Sequence, residues 1–280
     1  MPYTYTHIVV DIHDQIGVIK LNRPNVLNAW NETMLADMVT AFRELDENPR
    51  TIFTVLTGEG RFFSAGADIR QGLAIPPADS TPAQKKLFYM RKFSIETELF
   101  RLLIDHRKVF VLAFNGPGVG GGAAWFTGLA DIVLAASGGY LQVPFNSLGL
   151  VPEFGAARTF AQSMGVRRAN EFLMFGRKCT VEELEGWGLV NRVFPLEGFG
   201  GHVLEYLRGQ LEVNDGGSML ETKRLQNGPM RAERVVALFD AVSALAERFV
   251  EGVPGKRFER RTGELAKGDE ARKGKEKSSL

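Results

Sequence analysis

The segment "NGPGVGGGAAW" at residues 115–125 constrains the fold most, because it follows the apolar run "VFVLAF" directly. An apolar run ended by a glycine-rich turn predicts a buried strand. The stretch after the turn has no Gly or Pro break until Gly128, which indicates a strand-to-helix connection. Glycines at such a connection let a ligand approach the backbone without meeting a Cβ.

Within this loop, Gly116, Gly118 and Gly121 fit the dinucleotide-binding pattern G-x-G-x-x-G. That pattern should open the first βαβ unit and precede, by ~20 residues, a carboxylate that holds a ribose. Half of this chain precedes the loop, the segment near residue 136 reads "AASGGY", and Asp131 comes too early. The context therefore argues against a Rossmann loop and a nicotinamide cofactor.

Strands and helices alternate along the first part of the chain, which predicts a layered α/β fold. "HIVVDIHDQIGVIKLN" reads as two strands with a polar turn at Asp14, and Asn31 is the predicted N-cap of the next helix. The further predicted elements are the strands "TIFTVLTG", 109–114, "DIVLAAS" and "GYLQVPF", a flexible loop over 72–84 and a helix over 85–105.

The pattern changes from "TVEELEGWGLVNRVFP" onward, where residues 201–213, 217–227 and 230–251 read as helices and no strand pattern returns. We therefore predict a core over 1–197, a helical region over 198–267 and a charged, disordered tail over 268–280.

Composition excludes several classes of protein. The net charge of +1 gives no reason to expect nucleic acid as a partner, and no apolar run approaches the ~20 residues of a membrane span. The N-terminal segment lacks the basic and apolar regions of a signal peptide. Cys179 is the single cysteine and the four histidines are scattered, so we expect neither an intrachain disulfide nor a metal site.

Four segments in order, "LNRPNVLNAW", "GRFFSAGADI", "NGPGVGGGAAW…ADIVLA" and "VPFNSLGLVPEFGAAR", resemble the crotonase (enoyl-CoA hydratase/isomerase) superfamily. The likeness continues through "LMFGRKCTVEELEGWGLVNRVFP" and "LETKRLQN" and covers most of residues 8–227. It implies the crotonase (ClpP-like) spiral of β-β-α units, with two roughly perpendicular sheets ringed by helices. It also implies a homotrimer or hexamer assembled through the C-terminal helices.

The resemblance also implies an oxyanion hole for the thioester oxygen of an acyl-CoA, built from the backbone N–H groups of Ala67 and Gly121. Tight strand–helix turns would explain either loop taken alone. The residues implied to line the passage for coenzyme A are Ala65, Gly66, Ala67, Asp68 and Ile69. Coenzyme A enters as part of the substrate, so no separate cofactor and no metal are implied.

Hydratases of this superfamily carry two glutamates, and the matching positions here are Ala124 and Phe145. Adding water to a double bond needs groups that activate the water and protonate carbon. The sequence therefore argues against ordinary hydratase activity.

One carboxylate remains, Glu153 in "LGLVPEFGA", where peroxisomal-type Δ3,Δ2-enoyl-CoA isomerases also carry a glutamate. A single carboxylate can take a proton from C2 and return it at C4, and an apolar setting would raise its pKa toward neutrality if the group is buried. Solvated loop carboxylates are the commoner case. The chain departs from the expected pattern at Phe154, where a glycine is expected, and this leaves substrate choice open.

Glu96 aligns approximately with a polar residue that faces the acyl pocket of such isomerases, which makes it a candidate second acid. A solvated position on an amphipathic helix is the preferred interpretation of Glu96. The apolar neighbours Phe93, Leu99 and Phe100 do not fix the direction in which the Glu96 side chain faces. Trp125 can be read as an acyl-pocket wall or as plain core, and Arg23 as a phosphate contact or as basic surface.

The predicted function is Δ3,Δ2-enoyl-CoA isomerisation in the oxidation of unsaturated fatty acids. Two alternatives stay open: another crotonase-type reaction, such as dienoyl-CoA isomerisation or a biosynthetic hydratase-like step, and a non-catalytic acyl-CoA-binding subunit. The terminal Ser278, Ser279 and Leu280 resemble the Ser-Lys-Leu peroxisomal signal read by an import receptor. Peroxisomal location is therefore expected, with the cytoplasm as the alternative.

Overall fold

The computed structural model describes residues 3–68 and 74–260. Its main sheet has six strands in the order β1-β2-β3-β4-β6-β9. A second sheet has three strands in the order β5-β7-β8. The strands are β1 Ile8–His13, β2 Ile16–Leu21, β3 Phe53–Gly58, β4 Val109–Phe114, β5 Gly118–Val119, β6 Ile132–Ala136, β7 Tyr140–Gln142, β8 Cys179–Thr180 and β9 Arg192–Phe194.

The main sheet begins as an antiparallel hairpin and continues with parallel strands. β1 pairs with β2 through Ile8↔Leu21 to His13↔Ile16, around a turn in which Asp14 takes a φ of 57°. All later pairs in this sheet are parallel, as helical crossovers require. The predicted hairpin is confirmed, and so are the strands predicted around β3, β4, β6 and β7.

The helices are α1 Glu32–Glu47, α2 Pro82–Lys92, α3 Ser94–Asp105, α4 Gly121–Ala124, α5 Ala156–Met164, α6 Val166–Phe175, α7 Val181–Gly186, α8 Phe199–Val213, α9 Gly216–Asn227 and α10 Arg231–Val250. Short 3₁₀ turns lie at Pro24–Val26, Asn146–Leu148 and Gly228–Met230. The N-cap prediction for α1 is confirmed, because the Asn31 side chain accepts a hydrogen bond from the Met34 N–H at 2.9 Å.

Two predictions about elements are wrong. The single helix predicted over 85–105 is a pair of helices, α2 and α3, that meet at Phe93. A strand does return after the change of pattern, because β9 joins the edge of the main sheet beside β6. β9 is only three residues long and partly exposed, so it carries little of the alternation that marks a strand.

The main sheet buries two separate apolar layers, as the alternation of side chains along each strand dictates. Ile19, Leu56 and Leu112 face the larger layer, which contains Trp125 and Phe154. Val18, Val55 and Val111 face the smaller layer beneath α8. The larger layer therefore holds the aromatic residues that surround the candidate site.

The helical C-terminal part is confirmed in α8, α9 and α10, and α10 packs against α2, α3 and α5. The proposed domain boundaries stay a prediction, and the predicted tail over 268–280 lies outside the described residues. Among the described helices, none has the length and apolar character needed to cross a bilayer.

Candidate active site

The loop that contains Ala67 is held against residues 28–30 by hydrogen bonds. The Trp30 N–H donates to the Gly66 carbonyl at 2.8 Å, and the Asp68 N–H donates to the Trp30 carbonyl at 3.0 Å. The Ser64 hydroxyl donates to the Asn28 carbonyl at 2.8 Å and accepts from the Gly66 N–H at 3.1 Å. These bonds fix the backbone on both sides of Ala67.

The glycine loop lies directly against this segment. The Val119 N–H donates to the Ser64 carbonyl at 2.9 Å, so the loop pairs with the strand-like stretch before Ala65. A Cβ on Gly66 would lie 2.7 Å from the Val119 carbonyl oxygen and 3.4 Å from the Gly121 nitrogen. Gly66 also has a φ of +87°, so both conformation and close approach require glycine there.

The structure brings the two expected oxyanion donors to neighbouring positions with their N–H groups unused by the backbone. Within residues 3–68 and 74–260, neither the Ala67 N–H nor the Gly121 N–H donates to another backbone group. Ala67 is exposed, whereas Gly121 is buried at the first position of α4. Two adjacent donors of this kind can stabilise a negative oxygen between them.

The positions where hydratases carry glutamates are apolar and buried. Ala124 is 1% exposed and Phe145 is 3% exposed, and both belong to the larger apolar layer. Neither position supplies a group that could activate water.

Glu153 lies in the loop between the 3₁₀ turn at 146–148 and α5 and is half-buried. Its Oε2 accepts a hydrogen bond from the Trp125 indole N–H at 2.6 Å. Desolvation raises the pKa of Glu153 to about 7, the Trp125 bond opposes this rise, and the charge of Glu96 adds to it. A carboxyl with a pKa near 7 suits proton transfer at neutral pH.

Glu96 lies on α3, and the structure places it inside rather than on a solvated face. Its Oε2 is buried and has no hydrogen-bond partner in the described part of the chain. Desolvation raises its pKa to about 7, and the nearby charge of Glu32 contributes. The expectation of a solvated position is therefore wrong. Phe93 and Phe100, on the same face of the helix, both contact the Phe154 ring, which directs this face toward Glu153.

An aromatic cluster surrounds Glu153. The Trp125 ring stacks on Trp30 with centroids 5.6 Å apart and an interplanar angle of 8°. It also meets Phe100 at 5.6 Å and Phe154 at 5.1 Å, in both cases edge to face. Trp125 is thus both core and part of the site. The hydrogen bond to Glu153 joins residues 28 positions apart, so no local sequence pattern could have identified it.

The remaining predicted residues divide into two groups. Ala65 and Gly66 lie beside Ala67, and Asp68 forms an ion pair with Arg23 at 3.1 Å in which both side chains are mostly buried. Arg23 also donates to the Ala29 carbonyl at 2.6 Å, so it braces the loop instead of forming free basic surface. Ile69 lies outside the described residues. Among those described, no group of three or more His, Cys, Asp or Glu residues could hold a metal ion.

Comparison with known proteins gives three results. The family model described as enoyl-CoA hydratase/isomerase matches residues 11–220. A Delta(3,5)-Delta(2,4)-dienoyl-CoA isomerase of Pyricularia oryzae is 31% identical over 268 residues, which cover 89% of this chain and 94% of that protein. Human enoyl-CoA delta isomerase 2 is 34% identical over 189 residues, 67% of this chain but only 46% of the human protein.

A solved structure has the same fold. The enoyl-CoA hydratase/isomerase of Pseudoalteromonas atlantica T6c superposes with a TM-score of 0.81, covering 92% of this chain and 98% of that one. The identity is 22%, so this likeness speaks to the fold alone.

Proposed function

This chain belongs to the enoyl-CoA hydratase/isomerase (crotonase) family, and on that premise we propose that it converts 3-enoyl-CoA to trans-2-enoyl-CoA. The observation that carries the proposal is the half-buried, desolvated carboxylate of Glu153 near two backbone donors unused by the backbone, with apolar residues at both hydratase positions. One base and one oxyanion hole suffice to move a double bond by one carbon.

The reaction would proceed in two proton transfers. The ionised Glu153 removes a proton from C2, the C2–H electron pair forms a C1–C2 double bond, and the carbonyl π electrons move onto the thioester oxygen, giving a dienolate conjugated with the C3–C4 double bond. The N–H groups of Ala67 and Gly121 donate to that oxygen, and removing one such donor typically costs about 3–4 kcal/mol of barrier. Glu153 then returns the proton to C4, leaving the double bond between C2 and C3.

The first test separates isomerisation from hydration. We expect the protein to convert trans-3-hexenoyl-CoA to the 2-enoyl thioester and to leave crotonyl-CoA unhydrated, because Ala124 and Phe145 offer no group to activate water. Hydration of crotonyl-CoA faster than isomerisation would contradict the proposal. Tight binding of both thioesters without turnover would point to a non-catalytic acyl-CoA-binding subunit.

Glu96 favours a second candidate, isomerisation of 3,5-dienoyl-CoA to 2,4-dienoyl-CoA. That reaction takes a proton from C2 and delivers one to C6, farther than one carboxylate easily reaches. Glu96 provides a second buried carboxyl whose Oε2 has no partner in the described part of the chain. The name of the Pyricularia oryzae relative supports the same reaction.

In this second reaction, Glu153 would take the C2 proton and protonated Glu96 would supply the C6 proton. Both carboxyls have a pKa of about 7, so one ionised and one neutral group can coexist at neutral pH. After turnover the proton has moved from Glu96 to Glu153, and its return between the carboxyls or through solvent resets the site.

The variant Glu96→Gln tests the second candidate by the ratio of two activities. We expect 3,5-dienoyl activity to fall about a hundredfold more than 3-enoyl activity, the usual effect of losing a general acid. Glu98→Gln is the matched control, because Glu98 lies on the same helix but pairs with Arg43 and Arg101. An unchanged ratio in Glu96→Gln would leave the 3-enoyl reaction as the sole function proposed.

We also propose a peroxisomal location and a trimeric or hexameric assembly, which the resemblance to peroxisomal-type isomerases supports. Ser278, Ser279 and Leu280 lie outside the described residues. Sedimentation of the purified protein tests the assembly. Imaging of a fluorescent protein carrying residues 261–280 at its C-terminus tests the location.

A further inference from the structure

Two tryptophans lie face to face in the site, and their indole N–H groups have different surroundings. Trp125 donates to Glu153 Oε2 at 2.6 Å. The Nε1 of Trp30, which is 3% exposed, has no partner in the described part of the chain. A short hydrogen bond to a carboxylate in a desolvated pocket is among the stronger interactions in a protein.

The Trp125 ring is held by three other aromatic rings and by the glycine loop. It stacks on Trp30 and meets Phe100 and Phe154 edge to face. It also lies against the oxyanion loop, since a Cβ on Gly121 would come 2.7 Å from its Cε2 and 2.8 Å from its Nε1. One rigid ring therefore connects an oxyanion donor to the candidate base.

We propose that Trp125 is a positioning residue that holds Oε2 of Glu153 and leaves Oε1 as the oxygen that carries the proton. This inference rests on the proposed isomerase function. The ring sets the distance between the base and Gly121, and hence between Oε1 of Glu153 and C2 of an acyl chain whose thioester oxygen is bound at Gly121. Proton removal and return then take place at one oxygen, on one face of the substrate.

Trp125→Phe tests the proposal, because it keeps a ring in the stack and removes only the N–H and part of the indole. With trans-3-hexenoyl-CoA, we expect kcat at pH 7 to fall about tenfold to a hundredfold, with little change in KM, as for a lost hydrogen bond to a charged group. The acidic limb of the kcat profile should move to higher pH, because the indole bond favours the ionised form of Glu153. Glu96 on α3 also acts on the Glu153 carboxyl, and because it is not substituted its effect is present in both proteins.

Trp30→Phe is the matched control. This variant disturbs the same aromatic stack, but it removes an N–H that has no hydrogen-bond partner among the described residues. The acidic limb of the kcat profile should therefore keep its wild-type position. The double variant Trp125→Phe with Glu153→Gln supplies a second readout. If Trp125 acts through Glu153, Trp125→Phe should cause little further loss of kcat in the Glu153→Gln background.

Three results would overturn the inference. One is an acidic limb of the kcat profile that does not move in Trp125→Phe. Another is a shift of that limb by the same amount in Trp125→Phe and Trp30→Phe. The third is the same loss of kcat from Trp125→Phe with and without Glu153, as a general packing defect would produce. Failure of the proposed function is recognised separately, because the wild-type protein would then not convert trans-3-hexenoyl-CoA at all.

Discussion

Phe100 stacks on Phe154 with ring centroids 4.9 Å apart and an interplanar angle of 9°. Phe154 follows Glu153 directly and has a φ of +47°, in the left-handed region where glycine is favoured. The resemblance to enoyl-CoA isomerases leads us to expect glycine at this position. In this chain, aromatic packing of Phe154 against Phe100 and Phe93 offsets the backbone strain.

Substitutions at Phe154 should show an unusual order of stability. Both Phe154→Ala and Phe154→Gly lose the buried ring, which typically costs about 3–5 kcal/mol. Glycine also relieves the left-handed conformation, which costs other residues roughly 1–2 kcal/mol. We therefore expect Phe154→Gly to be the more stable by about 1 kcal/mol in urea unfolding. A less stable glycine variant would show that the backbone at 154 is not strained.

The same pair of variants should change substrate choice. Removing the ring between Phe93 and Phe100 opens space beside Glu153. We expect kcat/KM for acyl chains branched near C4 to rise relative to that for trans-3-hexenoyl-CoA. A fall in this ratio would indicate that Phe154 does not wall the acyl pocket.

Local patterns predicted the parts of the fold that depend on neighbouring residues. Asn31 was identifiable as a cap because capping is a contact over three residues, and the hairpin at Asp14 because alternation and a polar turn suffice. The break at Phe93 was missed, since no Gly or Pro marks it and helical spacing continues on both sides. The boundary between α2 and α3 is therefore set by the tertiary structure and not by a local sequence signal.

The residues of the candidate site divide likewise into those that local sequence predicts and those that it does not. The glycine loops and Glu153 are visible in the sequence because each belongs to a contiguous motif. The facing of Glu96 could not be predicted, because the apolar residues around it fit either orientation of the helix. The hydrogen bond from Trp125 to Glu153 depends on how the end of α4 packs against the loop that contains Glu153, and only the tertiary structure shows this packing.

Gly121→Ala should impair the site more than the fold. The new Cβ would come 2.7 Å from the Trp125 ring, so the ring or the loop must move. We expect at least a tenfold loss of kcat, because both the oxyanion donor and the partner of Glu153 are displaced. Gly209→Ala in α8, where a Cβ meets nothing within 4 Å, is the control. That control should gain roughly 0.5–1 kcal/mol of stability and keep full activity.

The stability contributed by Glu96 and Glu153 should fall as pH rises from 4.5 to about 7. The pKa values of Glu96 and Glu153, about 7 in the folded protein, exceed the ordinary value of 4.5. The folded state thus binds more protons between those values, so the stability that these two carboxyls contribute is fully present below pH 4.5 and is lost as pH rises through 7. Each carboxyl contributes up to about 3 kcal/mol to this loss.

Urea unfolding of the wild type and of Glu96→Gln across pH 5 to 8 measures this difference. The variant should lose less stability over the range, because glutamine does not titrate. Parallel curves would show that Glu96 titrates normally and is not buried in solution.

Whether Glu153 is the base is tested most directly by the rate of trans-3-hexenoyl-CoA isomerisation in wild type and in Glu153→Gln. The affinity of both proteins for the thioester is measured in parallel. We predict a loss of at least about a thousandfold in Glu153→Gln with affinity retained, since glutamine fits the pocket but cannot accept the C2 proton. Glu233→Gln, which changes an exposed carboxylate paired with Arg158, should behave as wild type. Equal isomerisation rates in wild type and Glu153→Gln would contradict the account.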